Sequence, residues 1–367
     1  MTAATRDSET SRPAPLPRRL ARLRVDTGAI VENWRFFKKL APNAAIAAVV
    51  KANGYGLGAA SAAKALADAG ARVFFTATSN EGYEVRRALG EGPQVMVLNG
   101  PTDFDLPLFV QAKLTPVLNS LSQIKIWNAS GPAALHIDTG MNRLGVGPEE
   151  LPHAAMALKD TSLALVMSHL ACSSDIKHEF NAVQRTRFVD AATLFPKAPL
   201  SLSATGGALI GADFHFDLVR IGVGLYGSGS LDADNPTLSV AATIDAPILQ
   251  VREVEPGEVF GYGSTFTATK KMRTATVAIG YADGFLRSLS GRGYGVVEGR
   301  KAPVIGRVSM DLTIIDVTDI PAAAPGAMVE FLGANAPLDD VEQLAGTAAY
   351  EILTTFAGTV RRSGVRG

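Results

Sequence analysis

Between Asp26 and Gly227 the chain repeats one pattern: a short apolar run, then a polar, helix-length segment carrying alanine and glutamate. The runs are AAIAAVV, RVFFTAT, PQVMVLN, LTPVLN, AALHID, LALVMSH, LSLSAT and FDLVRIG, eight in all. The segments include DTGAIVENWRFFKKLA ahead of the first run, GAASAAKALADAGA after it and HEFNAVQRTRFVDAATLF before the seventh. Apolar runs in this rhythm pair in parallel through helical crossovers. Eight such units in about 200 residues predict a closed (β/α)8 barrel of the TIM type, with an open doubly wound sheet as the alternative.

Near Pro236 the character changes. Residues 238–367 are rich in β-branched residues and turn glycines, as in PILQVREVEPGEVFGYG and APVIGRVSMDLTIIDVTD, and helical periodicity returns only at PLDDVEQLAGTAAYEILTTF. A smaller, mainly β C-terminal domain is expected. The expected division is a disordered tail over 1–17, a cofactor-binding barrel over 18–236, and a β-rich domain over 237–367.

Thirty-five basic residues balance thirty-five acidic ones. That balance gives no electrostatic reason to expect nucleic acid or a membrane surface as partner. No apolar run approaches the ~20 residues of a membrane span. The N-terminal MTAATRDSETSRPAPLP lacks the apolar core of a signal peptide, so a cytoplasmic protein is expected, and the basic RRLARLR after it reads as a solvated face. Cys172 is the single cysteine, which excludes an intrachain disulfide and a cysteine-rich zinc site. The five histidines are scattered without ligand spacing, so no metal site is expected.

In a barrel the residues just after each strand surround the active site. Lys51 ends the first run and precedes a glycine-rich loop holding Tyr55. It reads either as a surface lysine or as a Schiff-base lysine with a pKa depressed by apolar surroundings. Tyr55 reads as a packing residue or as a hydroxyl for a phosphate. Arg143 lies in a glycine-flanked loop after the fifth run and suits a carboxylate. His169 ends the sixth run, where a hydrogen-bonding role is the commoner one. Thr205 follows the seventh, and Gly222 and Val223 follow the eighth, where barrels often bind phosphate. Arg220 interrupts an apolar run, and a charge there demands a partner or a ligand. Gly222, Gly224 and Gly227 match GxGxxG, but SGSLDADNP after them is no helix, so a dinucleotide fingerprint lacks its context. In the β domain, Tyr262, Tyr281, Met310 and Asp311 lie in FGYGSTF, GYADGF and GRVSMDLT.

Taken in order, VVKANGYGLG, HIDTGMNRLG, VRIGVGLYG, IGYADGF and GRVSMDLT resemble the alanine racemases, pyridoxal-phosphate enzymes of fold type III, over nearly the whole chain from about residue 20. The resemblance implies an isomerase of L- and D-alanine, a barrel followed by a β domain, and a homodimer with shared active sites. It implies that Lys51 holds pyridoxal phosphate as an internal aldimine and serves as one base, and that Tyr262 of the other subunit is the second base. Arg220 would face the pyridine nitrogen, with His169 near the ring. Tyr55, Thr205, Gly222, Val223 and Tyr350 would hold the phosphate. Arg143 and the Met310 backbone N–H would address the substrate carboxylate, with Asp311 beside them and Tyr281 at the substrate entrance.

Two positions depart from the family pattern. His136 stands where many members carry a lysine modified to a carbamate, and Ala204 stands where an asparagine is expected. Preference for serine or a broader set of amino acids is the nearest alternative. A related decarboxylase would use an acidic residue at the pyridine nitrogen and a cysteine from the β domain; this chain has Arg220 and a cysteine in the barrel half. A single-barrel cofactor-binding protein would lack residues 238–367.

Overall fold

The computed structural model describes residues 20–128, 130–229 and 238–359, with the side chains of 357–359 left aside. The tail expected over 1–17 lies outside them. The first strand, β1 (Arg22–Val25), is followed by the helix Thr27–Leu40. Asp26 caps that helix by accepting from the Ala29 N–H at 3.0 Å, a typical N-cap role for a short acidic side chain. Its Ile30, Asn33, Trp34 and Phe37 fall on one face and are buried, as spacings of three and four residues require. Trp34 donates its ring N–H to the Ile46 carbonyl at 3.1 Å and so anchors the helix to the next strand.

Eight strands then follow: β2 (Ala45–Val49), β3 (Val73–Thr76), β4 (Gln94–Val97), β5 (Thr115–Leu118), β6 (Ala133–His136), β7 (Leu163–Met167), β8 (Leu200–Ser201) and β9 (Leu218–Ile221). Each falls within one of the eight apolar runs. They pair in parallel in the order β8-β7-β6-β5-β4-β3-β2-β9. The seam between β8 and β9 is closed by Asp217 N–H to the Leu200 carbonyl at 3.1 Å and Arg220 N–H to the Ser203 carbonyl at 3.0 Å. The sheet is therefore a barrel, as expected, and not an open doubly wound sheet. Strands β5, β6 and β9 are buried along their whole length, which explains why they read as continuous apolar runs.

Residues 242–359 build the second unit. Its strands are β10 (Ala242–Val254), β11 (Val259–Phe260), β12 (Phe266–Thr267), β13 (Met272–Val277), β14 (Tyr294–Val297), β15 (Arg300–Pro303), β16 (Thr313–Asp316) and β17 (Met328–Leu332), followed by helices Leu338–Ala345 and Ala349–Thr359. The main sheet runs β15-β14-β17-β10-β13-β16, all antiparallel, and the long strand β10 is its spine.

The basic stretch before residue 26 is more than a solvated face. Strand β1 pairs antiparallel with the start of β10, Arg22 opposite Asp245 and Val25 opposite Ala242. Arg22 and Arg24 both reach the buried Asp245 carboxylate, at 3.0 and 2.7 Å. Among the described residues no helix is long and apolar enough to cross a membrane.

Asp245→Asn should weaken both arginine contacts. Charge-assisted bonds that stay partly solvated are worth about 1–2 kcal/mol. The expected result is faster amide exchange at Arg22–Val25, with barrel amides such as those of β5 unchanged.

Candidate active site

At the C-terminal ends of β2, β3, β4, β6, β7, β8 and β9 lies a cavity of about 870 Å³. Lys51, Tyr55, His136, Arg143, His169, Ala204, Thr205, Arg220, Gly222, Val223 and Tyr350 all line it. The barrel thus brings together the residues singled out from strand ends scattered over the sequence.

Lys51 leaves β2 through an unusual turn. Ala52, Asn53 and Gly54 have φ/ψ of 51/46°, 54/47° and 64/47°, and Tyr55 has φ of 54°. Four consecutive left-handed residues are costly, at about 1–2 kcal/mol for each ordinary L-residue. Local bonds hold the turn: Gly54 N–H to the Val50 carbonyl at 2.8 Å and Gly56 N–H to that of Ala52 at 2.7 Å. The Asn53 side chain accepts from the Ala59 N–H at 3.0 Å and so caps the helix Ala59–Asp68. Glu81 adds a contact from the neighbouring unit, accepting the Ala52 N–H at 2.8 Å. Glycine suits position 54 on two counts: its φ is positive, and a Cβ there would crowd the Ala59 backbone nitrogen at 3.0 Å.

The turn delivers Tyr55 onto Tyr226, ring centroids 4.9 Å apart. Its hydroxyl rests against Gly222, where any Cβ would overlap it. The close approach explains this glycine and removes the need for a dinucleotide motif: a short 3-10 turn over Val223–Tyr226 follows it. Burial raises the Tyr55 pKa, with Tyr350 adding to the effect, so the phenol keeps its proton. Thr205 opens the short helix Thr205–Ile210 and accepts from the Gly222 and Gly224 N–H groups at 3.3 and 3.2 Å.

Arg220 is buried on β9. It donates to the Ser201 carbonyl at 3.0 Å and the Ser201 hydroxyl at 2.6 Å, and to the carbonyls of Ser168 at 2.7 Å and Leu202 at 3.2 Å. No carboxylate among the described residues pairs with it. Burial lowers its pKa to about 9, which leaves it cationic at neutral pH. The guanidinium also faces His169 Nδ1 at 3.3 Å. A guanidinium can only donate, so Nδ1 is the acceptor and the ring proton sits on Nε2. Burial and then Arg220 hold the His169 pKa well below the usual value, so the ring is neutral.

His136 closes the cavity floor at the end of β6. Its Nδ1 lies 2.8 Å from Asn119 Oδ1. The Asn119 amide nitrogen is committed to the Leu98 and Val117 carbonyls at 3.0 and 2.9 Å. Asn119 therefore presents its oxygen, His136 donates from Nδ1, and Nε2 is an acceptor. Burial, followed by Arg220, pulls the His136 pKa down to about 4. Arg143 sits in the loop after β6, exposed at the cavity rim. Asp138 shapes that loop by accepting from the Gly140 and Met141 N–H groups at 2.8 and 2.9 Å.

The Lys51 pKa is lowered by burial first and then by Arg143 and Arg220, while Glu81 opposes them. The cavity thus holds a softened lysine, a buried cation, two neutral imidazoles and a protonated phenol. Such a set can capture an aldehyde on the amine and receive an anion.

The β-domain residues fall differently. Tyr350, on Ala349–Thr359, reaches the rim, but Tyr262, Tyr281, Met310 and Asp311 do not line the cavity. They gather elsewhere: Gly261 and Gly263, flanking Tyr262, pack on Arg307, and Tyr281 and Ala282 donate their N–H groups to the Ser309 and Met310 carbonyls at 3.0 and 2.9 Å. Tyr262, Met310 and Tyr281 are 70%, 54% and 41% exposed. Ser168, Ser201, Asn119 and Glu81 were not singled out from sequence. Only Glu81 left a legible signal there, the Thr-x-x-Glu capping pattern at Thr78.

The profile for the N-terminal domain of alanine racemase matches residues 25–230, and that for the C-terminal domain matches residues 241–364. An alanine racemase from Rhizobium meliloti is 41% identical over 369 residues, covering 95% of this chain and 97% of its own. The biosynthetic alanine racemase of Pseudomonas aeruginosa superposes with a TM-score of 0.88 at 33% identity, covering 94% of this chain and 99% of its own. The alanine racemase of Bartonella henselae with covalently bound pyridoxal phosphate superposes with a TM-score of 0.87 at 34% identity, covering 92% and 97%. With both domain profiles matched in order and relatives aligned over nearly their full length, this chain belongs to the alanine racemase family.

Proposed function

We propose that the protein interconverts L- and D-alanine with pyridoxal phosphate, held through Lys51, in the cavity at the barrel mouth. One observation carries the reading: the softened Lys51 amine shares a cavity with a buried arginine that has no carboxylate partner, beside a tyrosine hydroxyl cradled on a glycine. The residues fit the cofactor. Lys51 supplies the primary amine for its aldehyde. Tyr55, Thr205, the Gly222–Val223 backbone and Tyr350 would hold its phosphate, and Arg220 would face its pyridine nitrogen with His169 beside the ring. When bound, the cofactor supplies the electron sink that acidifies the substrate α-carbon.

The chain's own groups do the rest. Arg220 can only donate, so it disfavours a proton on the pyridine nitrogen and keeps the sink moderate, which suits reprotonation over side reactions. Arg143 is a cation at the rim, suited to a substrate carboxylate, and the Met310 backbone N–H, with Asp311 beside it, would complete that grip. Lys51 takes or returns a proton on one face of the α-carbon. A second base must act on the opposite face, and Tyr262 of the same chain is off the cavity and exposed. The partner subunit's Tyr262 in a homodimer fills that role, with Tyr281 narrowing the substrate entrance from the same exposed face.

Lys51→Ala should abolish racemisation, and borohydride treatment of the unaltered protein loaded with pyridoxal phosphate should leave a pyridoxyl mass tag on Lys51 alone. Tyr262→Phe should stop racemisation while one enantiomer still exchanges its α-hydrogen in D2O, followed by NMR; equal exchange of both enantiomers counts against two bases. Removing a neighbouring cation favours the protonated amine. In Arg143→Met the pH midpoint for trapping the cofactor on Lys51 should therefore move upward. A chiral assay with alanine and serine in parallel reads the substrate preference.

A further inference from the structure

Glu81 does more than cap its helix. It is the third residue of the helix Ser79–Leu89 and closes a capping box with Thr78: the Glu81 N–H donates to Thr78 Oγ1 at 3.3 Å, and the Thr78 N–H donates to Glu81 Oε2 at 3.4 Å. The same oxygen accepts the Ala77 N–H at 2.8 Å. In an ordinary capping box the carboxylate is then finished. Here the other oxygen, Oε1, leaves its own helix and accepts the Ala52 N–H at 2.8 Å. Ala52 is the first left-handed residue after Lys51. One carboxylate therefore ties the segment after β3 to the segment after β2, at the residue where the strained turn begins. Its charge also bears directly on the Lys51 amine.

We propose that Glu81 is a positioning residue for the reaction: its two-oxygen clamp fixes the left-handed turn that presents Lys51 and Tyr55 together to the cavity. The left-handed run has no intrinsic preference to form, and its later residues are held by short local bonds. The Ala52 N–H is bonded from outside the turn, so the clamp sets where the turn starts and, through it, the spacing between the lysine nitrogen and the tyrosine hydroxyl. A helix cap alone requires only the Thr78 contact and has no reason to hold Ala52.

This inference rests on the reading that Lys51 and Tyr55 hold pyridoxal phosphate, and the two fail separately. If the unaltered protein gives no pyridoxyl tag on Lys51, the cofactor reading falls whatever Glu81 does. Given the tag, Glu81→Ala and Thr78→Ala are compared as full-length holoenzymes. Thr78→Ala removes the cap without touching the cavity, so it should lower Tm and leave cofactor affinity and kcat within about twofold. Glu81→Ala should lower Tm similarly, weaken pyridoxal phosphate binding and reduce kcat each by about tenfold or more, with KM for alanine little changed, because a misplaced reacting group costs rate before binding. Glu81→Asp, one methylene too short to reach both N–H groups, should not rescue either property. Should Glu81→Ala not fold, Glu81→Gln serves, keeping the shape but offering one acceptor oxygen, and should show the same two losses at smaller amplitude. A Glu81 variant that folds and matches Thr78→Ala in cofactor affinity and kcat overturns the proposal.

Discussion

A guanidinium sealed inside the barrel governs this structure. Arg220 brings a full positive charge to a place where little water reaches it, and it is met by carbonyl and hydroxyl oxygens of Ser168, Ser201 and Leu202. Neutral oxygens satisfy its hydrogens but leave its charge uncompensated. That surplus reaches the lysine and both histidines of the cavity. It helps keep His169 and His136 neutral, and with Arg143 it softens Lys51. The same side chain stitches the weakest part of the barrel. Strand β8 is only two residues long, and Arg220 links it to the end of β7 from its own place on β9. Charge and closure are therefore one feature.

The barrel half and the β-domain half of the candidate residues rest on different supports. The barrel half stands on strand ends and on bonds such as Asn119 to His136, where each partner leaves the other a single orientation. Groups placed in this way keep their tautomers and angles without help from a ligand, which is what a proton-transfer site requires. The β-domain half stands on glycine-flanked loops braced against one another, with Tyr262 and Met310 turned to solvent. His136 is a neutral ring that offers Nε2 as an acceptor. Arg143 at the rim thus lacks a fixed negative neighbour from that position.

Much of this was legible in the sequence, for identifiable reasons. All eight barrel strands coincide with apolar runs, because strands buried along most of their length leave few polar positions to blur them. Lys51, Arg143, His169, Thr205 and Arg220 could be picked out because barrel topology carries every strand end to the same rim. The rest depended on contacts that no local pattern encodes. The glycines of KANGYG hinted at a turn, but its left-handed course through Ala52 and Tyr55 leans on Glu81, from another unit. Ser201 reads as a minor interruption of LSLSAT, and only the fold sets it beneath Arg220. The basic run before residue 26 reads as surface, and only pairing with the distant β10, with Asp245 meeting both arginines, makes it a strand.

That strand has a consequence for how the molecule assembles. The chain leaves the sheet at Val25, and Ala242 lies directly opposite in the adjacent antiparallel strand, with the Asp26 N–H bonded to the Ala241 carbonyl at 2.9 Å. Topologically β1 and the start of β10 are a hairpin whose loop is the entire barrel. A connection that long makes the pairing entropically expensive for an unfolded chain, and contacts so far apart in sequence form slowly. Once the barrel has brought its own two ends side by side, the hairpin closes at little further cost. Excising the barrel together with β1 would strip the start of β10 of one neighbour and leave that stretch of edge bare, so β1 belongs with the β-rich unit and the barrel is inserted between β1 and β10.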